Sequence, residues 1–170
     1  MLENYMKFMI RPIKKEKGVG LIEIIIVGAI LAIAFIGIVS FLINSRGITF
    51  QNTRNTQATS LTEEAMEAVR SMRDESWATS IATLTSGTTY YPVISGNKWT
   101  LDTTNPGPIN GLYTRTVVIE DINRDANDDI AGFGTADPNT KKVTAAVTWQ
   151  ENQVTKDVTL TTYITNFLEN

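Results

Sequence analysis

The chain has 170 residues and a formal net charge of −3, with 42% apolar and 19% charged residues, which leaves room for one domain plus an appendage. It contains no cysteine and no histidine, which excludes disulfides, thiol catalysis and Cys-ligated zinc, and removes the commonest general base and metal ligand. Catalysis would have to run on carboxylates, Lys or Tyr, and no arrangement of these stands out. The chain reads as a non-enzyme.

The first 18 residues form a basic leader carrying Lys7, Arg11, Lys14, Lys15 and Lys17 and ending at Gly18. Without its five basic and two acidic residues the chain keeps 10 basic against 16 acidic, a balance of −6. That acidity argues against nonspecific nucleic-acid binding, which rests on neutralising phosphates. From Leu21 to Ile43 there is one ionisable side chain, Glu23, in a run that exceeds the about 20 apolar residues a membrane helix needs. Basic residues on one flank hold that end in the cytoplasm. A secretory signal has an apolar core of only about 7–15 residues and a small-residue cleavage site, whereas polar Asn44-Ser45-Arg46 follows here. A plain signal anchor fits length and charge but gives no reason for Glu23. A charge inside such a helix costs roughly 2.5–3.5 kcal/mol on insertion scales, which favours a functional carboxylate over an interfacial one that snorkels to water.

A basic leader, a glycine, then five residues ending in Leu-Ile-Glu and a long apolar helix resembles the processing signal of type IV prepilins and pseudopilins. The resemblance is specific over residues 14–43 and architectural beyond them. It implies that a prepilin peptidase cuts after Gly18, leaving Val19 as the new, usually methylated, N-terminus. Glu23 then occupies the fifth mature position, where the family's glutamate is taken to pair with the terminal amine of a neighbouring subunit. Two positions depart from the pattern: Val19 stands where Phe or Met is commoner, and Gly20 where Thr is usual. Gly20 is also a rival cut site with poorer spacing to Glu23.

Beyond Ile43, residues 44–60 are rich in Asn, Thr, Ser and Gln and read either as a linker or as solvated turns of a continuing helix. From Leu61 the helical signal is strong, with Leu61, Ala65, Ala68 or Val69, and Met72 recurring at three- and four-residue spacing. One helix is expected from about Leu21 to about Trp77, roughly 85 Å long at 1.5 Å per residue. The period then changes. Thr88–Ile94 and Lys98–Leu101 flank Ser95-Gly96-Asn97, a hairpin signal, and Pro92 marks the first of these as an edge strand. Residues 102–111 are turn chemistry. Leu112–Glu120 alternates, and later strands present Val143, Ala145, Val147 and Trp149, then Val158, Leu160, Thr162 and Ile164, with Gln150–Gln153 joining them. An antiparallel sheet over 88–165 needs a cover for its apolar face, and the Leu61–Met72 stripe is the candidate. The expected fold is α+β and pilin-like, a long N-terminal helix packed on a small antiparallel sheet. Its parts are a leader (1–18), a transmembrane or filament-core half-helix (19–46) and a soluble domain (47–170).

Asp121, Asn123, Asp125, Asn127 and Asp129 place oxygen ligands at every second residue, the alternation used by calcium loops. The match is incomplete, since Ala126 sits where glycine makes the sharp turn and Gly132 where a bidentate Glu would close the site. Some pseudopilins carry Ca2+ in this part of their fold, and a solvated acidic turn is the competing reading. Trp77, Tyr90, Tyr91, Trp99 and Trp149 read as core or sheet face, and Phe133 as an exposed loop aromatic able to mark a contact.

The resemblance implies a structural subunit, minor-pilin-like, of a type IV pilus or related filament. A type II secretion pseudopilin or DNA-uptake pilin shares every feature. Its partners would be the prepilin peptidase, other pilin subunits, a membrane assembly platform and, before assembly, lipid. It would be a single-pass cytoplasmic-membrane protein with an extracytoplasmic C-terminal domain, reaching the cell surface in a filament. The reading of another class is a membrane-anchored binding module, with the helix only a tether.

Overall fold

A computed structural model describes residue 18 and residues 20–169. Helix α1 runs unbroken over Leu21–Glu75, and the described residues divide into two units, one ending at Ile48 and one beginning at Thr49. The polar stretch is therefore helix and not linker. The hydroxyls of Thr53, Thr56, Thr59 and Thr62 donate to the carbonyls four residues back at 2.8–3.0 Å, so these side chains are satisfied without leaving helical geometry.

The helix stops two residues before the expected Trp77. Ser76 turns to extended backbone (φ −168°, ψ 115°) and its Oγ accepts from the Thr79 N–H at 3.4 Å, capping a short helix α2, Trp77–Ser80. Trp77 continues the apolar pattern because it is buried, but from α2.

Six strands follow: β1 Thr89–Ser95, β2 Lys98–Asp102, β3 Thr114–Arg124, β4 Ile130–Ala131, β5 Thr135–Glu151 and β6 Val154–Thr165. The sheet order is β2-β1-β3-β5-β6, with β4 pairing β3, and every pairing is antiparallel. Two-residue turns close the hairpins at Gly96-Asn97 (φ 59° and 63°) and Asn152-Gln153 (φ 49° and 66°). Positive φ at both central positions matches the right-handed twist of the flanking strands.

Strand β1 is not an edge strand, because β2 and β3 pair with it on either side. Its pairing with β3 covers only Thr89 and Tyr90. At Pro92 the ladder with β3 has already lapsed, and the Arg115 guanidinium instead donates to the Pro92 carbonyl at 3.4 Å. The proline thus has no ladder partner to deprive on that side.

The second half of α1 packs on the sheet through Ala58, Thr62, Ala65, Met66, Ala68, Val69 and Met72, so Ala68 and Val69 both belong to the stripe. The main core joins Met66, Val69 and Met72 to Val117, Ile119, Val143, Ala145 and Ile164, closed by Trp77 and Ile81. A smaller cluster sets Ala58 against Tyr113, Val147 and Trp149. The Tyr113 hydroxyl reaches Gln57 Oε1 at 2.9 Å, and Arg54 pairs with Glu151 at 3.1 Å. Of the expected β6 face, Ile164 is buried but Leu160 remains 42% exposed, because β6 is the outer strand and the helical stripe covers it only in part.

Candidate functional site

Gly20 precedes the helix, and its carbonyl accepts from the Glu23 N–H at 2.9 Å and the Ile24 N–H at 3.3 Å. Glu23 is the acidic residue of the first turn, where a carboxylate also favours the positive end of the helix dipole. Apolar side chains from Leu21 to Phe50 are exposed on every face, and α1 is long and apolar enough to cross a membrane. A Cβ added at Gly18, Gly20, Gly28, Gly37 or Gly47 would meet nothing within 4 Å. Nothing within the described chain requires glycine at these positions, although glycine inside a helix costs about 0.5–1 kcal/mol relative to Ala. Val19 and the basic leader residues lie outside the described residues.

The acidic segment is strand for almost half its length. Asp121 and Asn123 belong to β3, and extended backbone at about 3.3 Å per residue spreads side chains instead of wrapping them. Asp121 is paired with Lys141. Asp125 heads the turn into β4: its Oδ1 accepts from the Asn127 N–H at 2.8 Å and the Asp129 N–H at 3.1 Å. Its carboxylate is thus engaged in shaping its own turn. Asn127 and Asp129 are exposed. Among the described residues no group of three or more Asp or Glu gathers as a metal-holding cluster.

Beside this segment a cavity of about 330 Å³ lies among Asp121, Asn123, Ile130, Lys142 and Tyr163. Its charges are largely paired, since Lys142 meets Glu120 at 2.9 Å. That carboxylate holds the Lys142 ammonium above its ordinary range. Arg124 ties the turn to β5 by donating to Asp137 Oδ2 and to the Asp128 carbonyl, each at 2.7 Å. The hydrogen bond from Arg124 holds the Asp137 carboxyl below the usual carboxylate range, against the opposing effect of burial.

Of the singled-out aromatics, Trp77, Tyr90 and Trp149 are buried, Tyr91 and Trp99 half-buried, and Phe133 is 79% exposed in the β4–β5 turn. Gly134 next to it was not distinguished by sequence from the other loop glycines. Its φ is 129°, and a Cβ there would overlap the carbonyl group of Arg124. That requirement comes from a residue ten positions earlier in the chain, which no local pattern records.

No protein-family model, no curated protein and no solved structure matches this chain.

Proposed function

We propose that this chain is a minor-pilin-like subunit of a type IV pilus or related filament. On this reading it is made as a prepilin, held in the cytoplasmic membrane, cut after Gly18 and packed by its apolar helix among neighbouring subunits. The observation that carries the reading is a run of apolar helix side chains from Leu21 to Phe50 left uncovered by the described residues, interrupted before Ile43 by a single carboxylate, Glu23. Lipid covers such a helix before assembly, and equally apolar neighbouring helices cover it afterwards, so extraction exchanges like for like. Glycines with open space around them suit close helix approach, as small residues do in membrane helix packing. A buried carboxylate is stabilised by a nearby cation, and the amine freed at Val19 supplies one. The work of the protein is assembly, not turnover.

Mass spectrometry of the mature N-terminus, combined with recovery in sheared filaments, tests the reading. A chain beginning at Val19 and found in filaments supports it. A chain that keeps Met1 and stays in the membrane fraction supports the tethered binding module instead. Gly18 replaced by a bulky residue should leave the leader attached, because the peptidase must fit a residue with little side chain there. A shortened product from such a variant would overturn the cut site.

A further inference from the structure

A second cavity, of about 320 Å³, lies between the end of α1, helix α2 and the β1–β2 hairpin. That is the lower end of the range for small-molecule sites, about 300–1,000 Å³. Its apolar lining is Met72, Leu84, Leu101 and the half-buried ring of Trp99. The side chain of Arg115, only 9% exposed, lies over that ring with its guanidinium carbon 5.3 Å from the centroid. Arg115 thus lies over the indole as a cation over an aromatic ring does, and the ring also packs against the main core cluster.

The polar lining is mostly hydroxyl. Thr79, Ser80 and Ser95 line the cavity, and their side-chain oxygens make no hydrogen bond among the described residues. A hydroxyl both donates and accepts, so three free ones present a surface matched to a ligand that also does both. The two charges of the lining, Lys98 and Glu75, are paired with each other. The site offers no net charge to an anion or a cation. We infer that this cavity binds a neutral saccharide unit, its C–H face against Trp99 and its hydroxyls exchanging hydrogen bonds with Thr79, Ser80 and Ser95. The inference does not depend on filament entry.

The test uses the full chain in a zwitterionic detergent without sugar headgroups. The probes are methyl-α-D-glucopyranoside, methyl-β-D-galactopyranoside, N-acetyl-D-glucosamine and lactose at millimolar concentration, with glucuronic acid, glucosamine and cyclohexanol as charged and apolar comparisons. Binding is read by saturation-transfer NMR and tryptophan emission. At least one neutral saccharide should bind, and the double variant Ser80→Ala/Ser95→Ala should weaken it about ten-fold, as the loss of two modest hydrogen bonds implies. An unchanged melting temperature in that variant separates lost recognition from lost fold, and Trp99→Phe keeps a packed ring while altering the contact. The inference is overturned if none of the four neutral saccharides binds, if a charged or apolar probe binds in their place, or if saccharide binding is indifferent to the double substitution.

Discussion

Arg124 on β3 and Asp137 on β5 meet at 2.7 Å where the register of the two strands shifts. Asp121 faces Lys141, yet the next residue, Ile122, faces Asp137, so Pro138, Asn139 and Thr140 are an excursion of β5 without partners on β3, its last residue buried and paired with Thr165 of β6. Proline is tolerated at such a bulge because no ladder bond is asked of it. The ion pair closes the base of the excursion, and the Asn139 N–H donates to the other Asp137 oxygen at 2.9 Å.

This pair makes stability depend on acid. The Asp137 carboxyl lies below its ordinary value when folded, so its contribution is present above the unfolded pKa and lost as pH falls through the folded one. Asp137→Asn should lower stability by about 1.5–3 kcal/mol at neutral pH. The difference in melting temperature between wild type and variant should then shrink below about pH 4. A difference that stays constant down to the most acidic buffer that keeps the protein folded would assign the loss to packing instead of charge.

Calcium should leave the unit Thr49–Asn170 thermally unaltered. Asp121 is paired with Lys141 and Asp125 is engaged by two backbone N–H groups, so ligation would first have to break contacts the fold uses. A ligand that binds only the native state raises its melting temperature. Scans in millimolar calcium and in chelator should therefore coincide, and a rise with calcium that Asp129→Asn abolishes would restore the calcium-loop reading.

Gly134→Ala should be among the most damaging single substitutions in the β4–β5 turn. The side chain would overlap the Arg124 carbonyl at a φ of 129°, a backbone region that costs a non-glycine residue about 1–3 kcal/mol before the overlap is counted. Gly132→Ala, two residues away with nothing within 4 Å, is the matched control. Equal melting temperatures for the two variants would refute the close-approach argument.

Glu23→Ala or Glu23→Gln should act with opposite signs at two steps of the proposed pathway. Membrane insertion should improve slightly, since a charge in an apolar helix costs roughly 2.5–3.5 kcal/mol. Filament entry should fall, since a buried pair that loses one partner typically costs about 3–5 kcal/mol, two orders of magnitude or more in incorporation. Wild-type amounts of the variant in sheared filaments would remove the pairing role and leave Glu23 as an interfacial bystander.

The helix over Leu21–Glu75 and the hairpins were legible because their signals are local: an apolar run without proline, a three- and four-residue stripe, and Gly-Asn or Asn-Gln at two-residue turns. The helix end was misplaced because Trp77 extends the apolar pattern while Ser76, one residue earlier, has a capping side chain, and the cap decided. Pro92 was read as marking an edge strand, and β1 instead has a neighbour on each side. At Pro92 itself only β2 pairs with it, through Leu101, since a strand can sit inside a sheet and still lose one neighbour halfway along. The excursion at Pro138 and the need for Gly134 arise from contacts between β3 and β5 across the sheet. The Trp99 cavity draws its lining from three separate segments, so no spacing rule could assemble it. Glu23 is singled out by cost alone, and its role rests on the proposed assembly.

The glycines of α1 put the chain's own stability and its proposed occupation in competition. Replacing Gly28 and Gly37 by Ala would meet no steric objection within the chain and should make the lone helix firmer by about 0.5–1 kcal/mol at each position. An engineer selecting for a sturdier monomer would therefore be drawn to the positions that a tightly packed bundle most needs left bare. Improved thermal tolerance in such variants would be a misleading measure of fitness, rewarding a molecule for becoming a poorer neighbour.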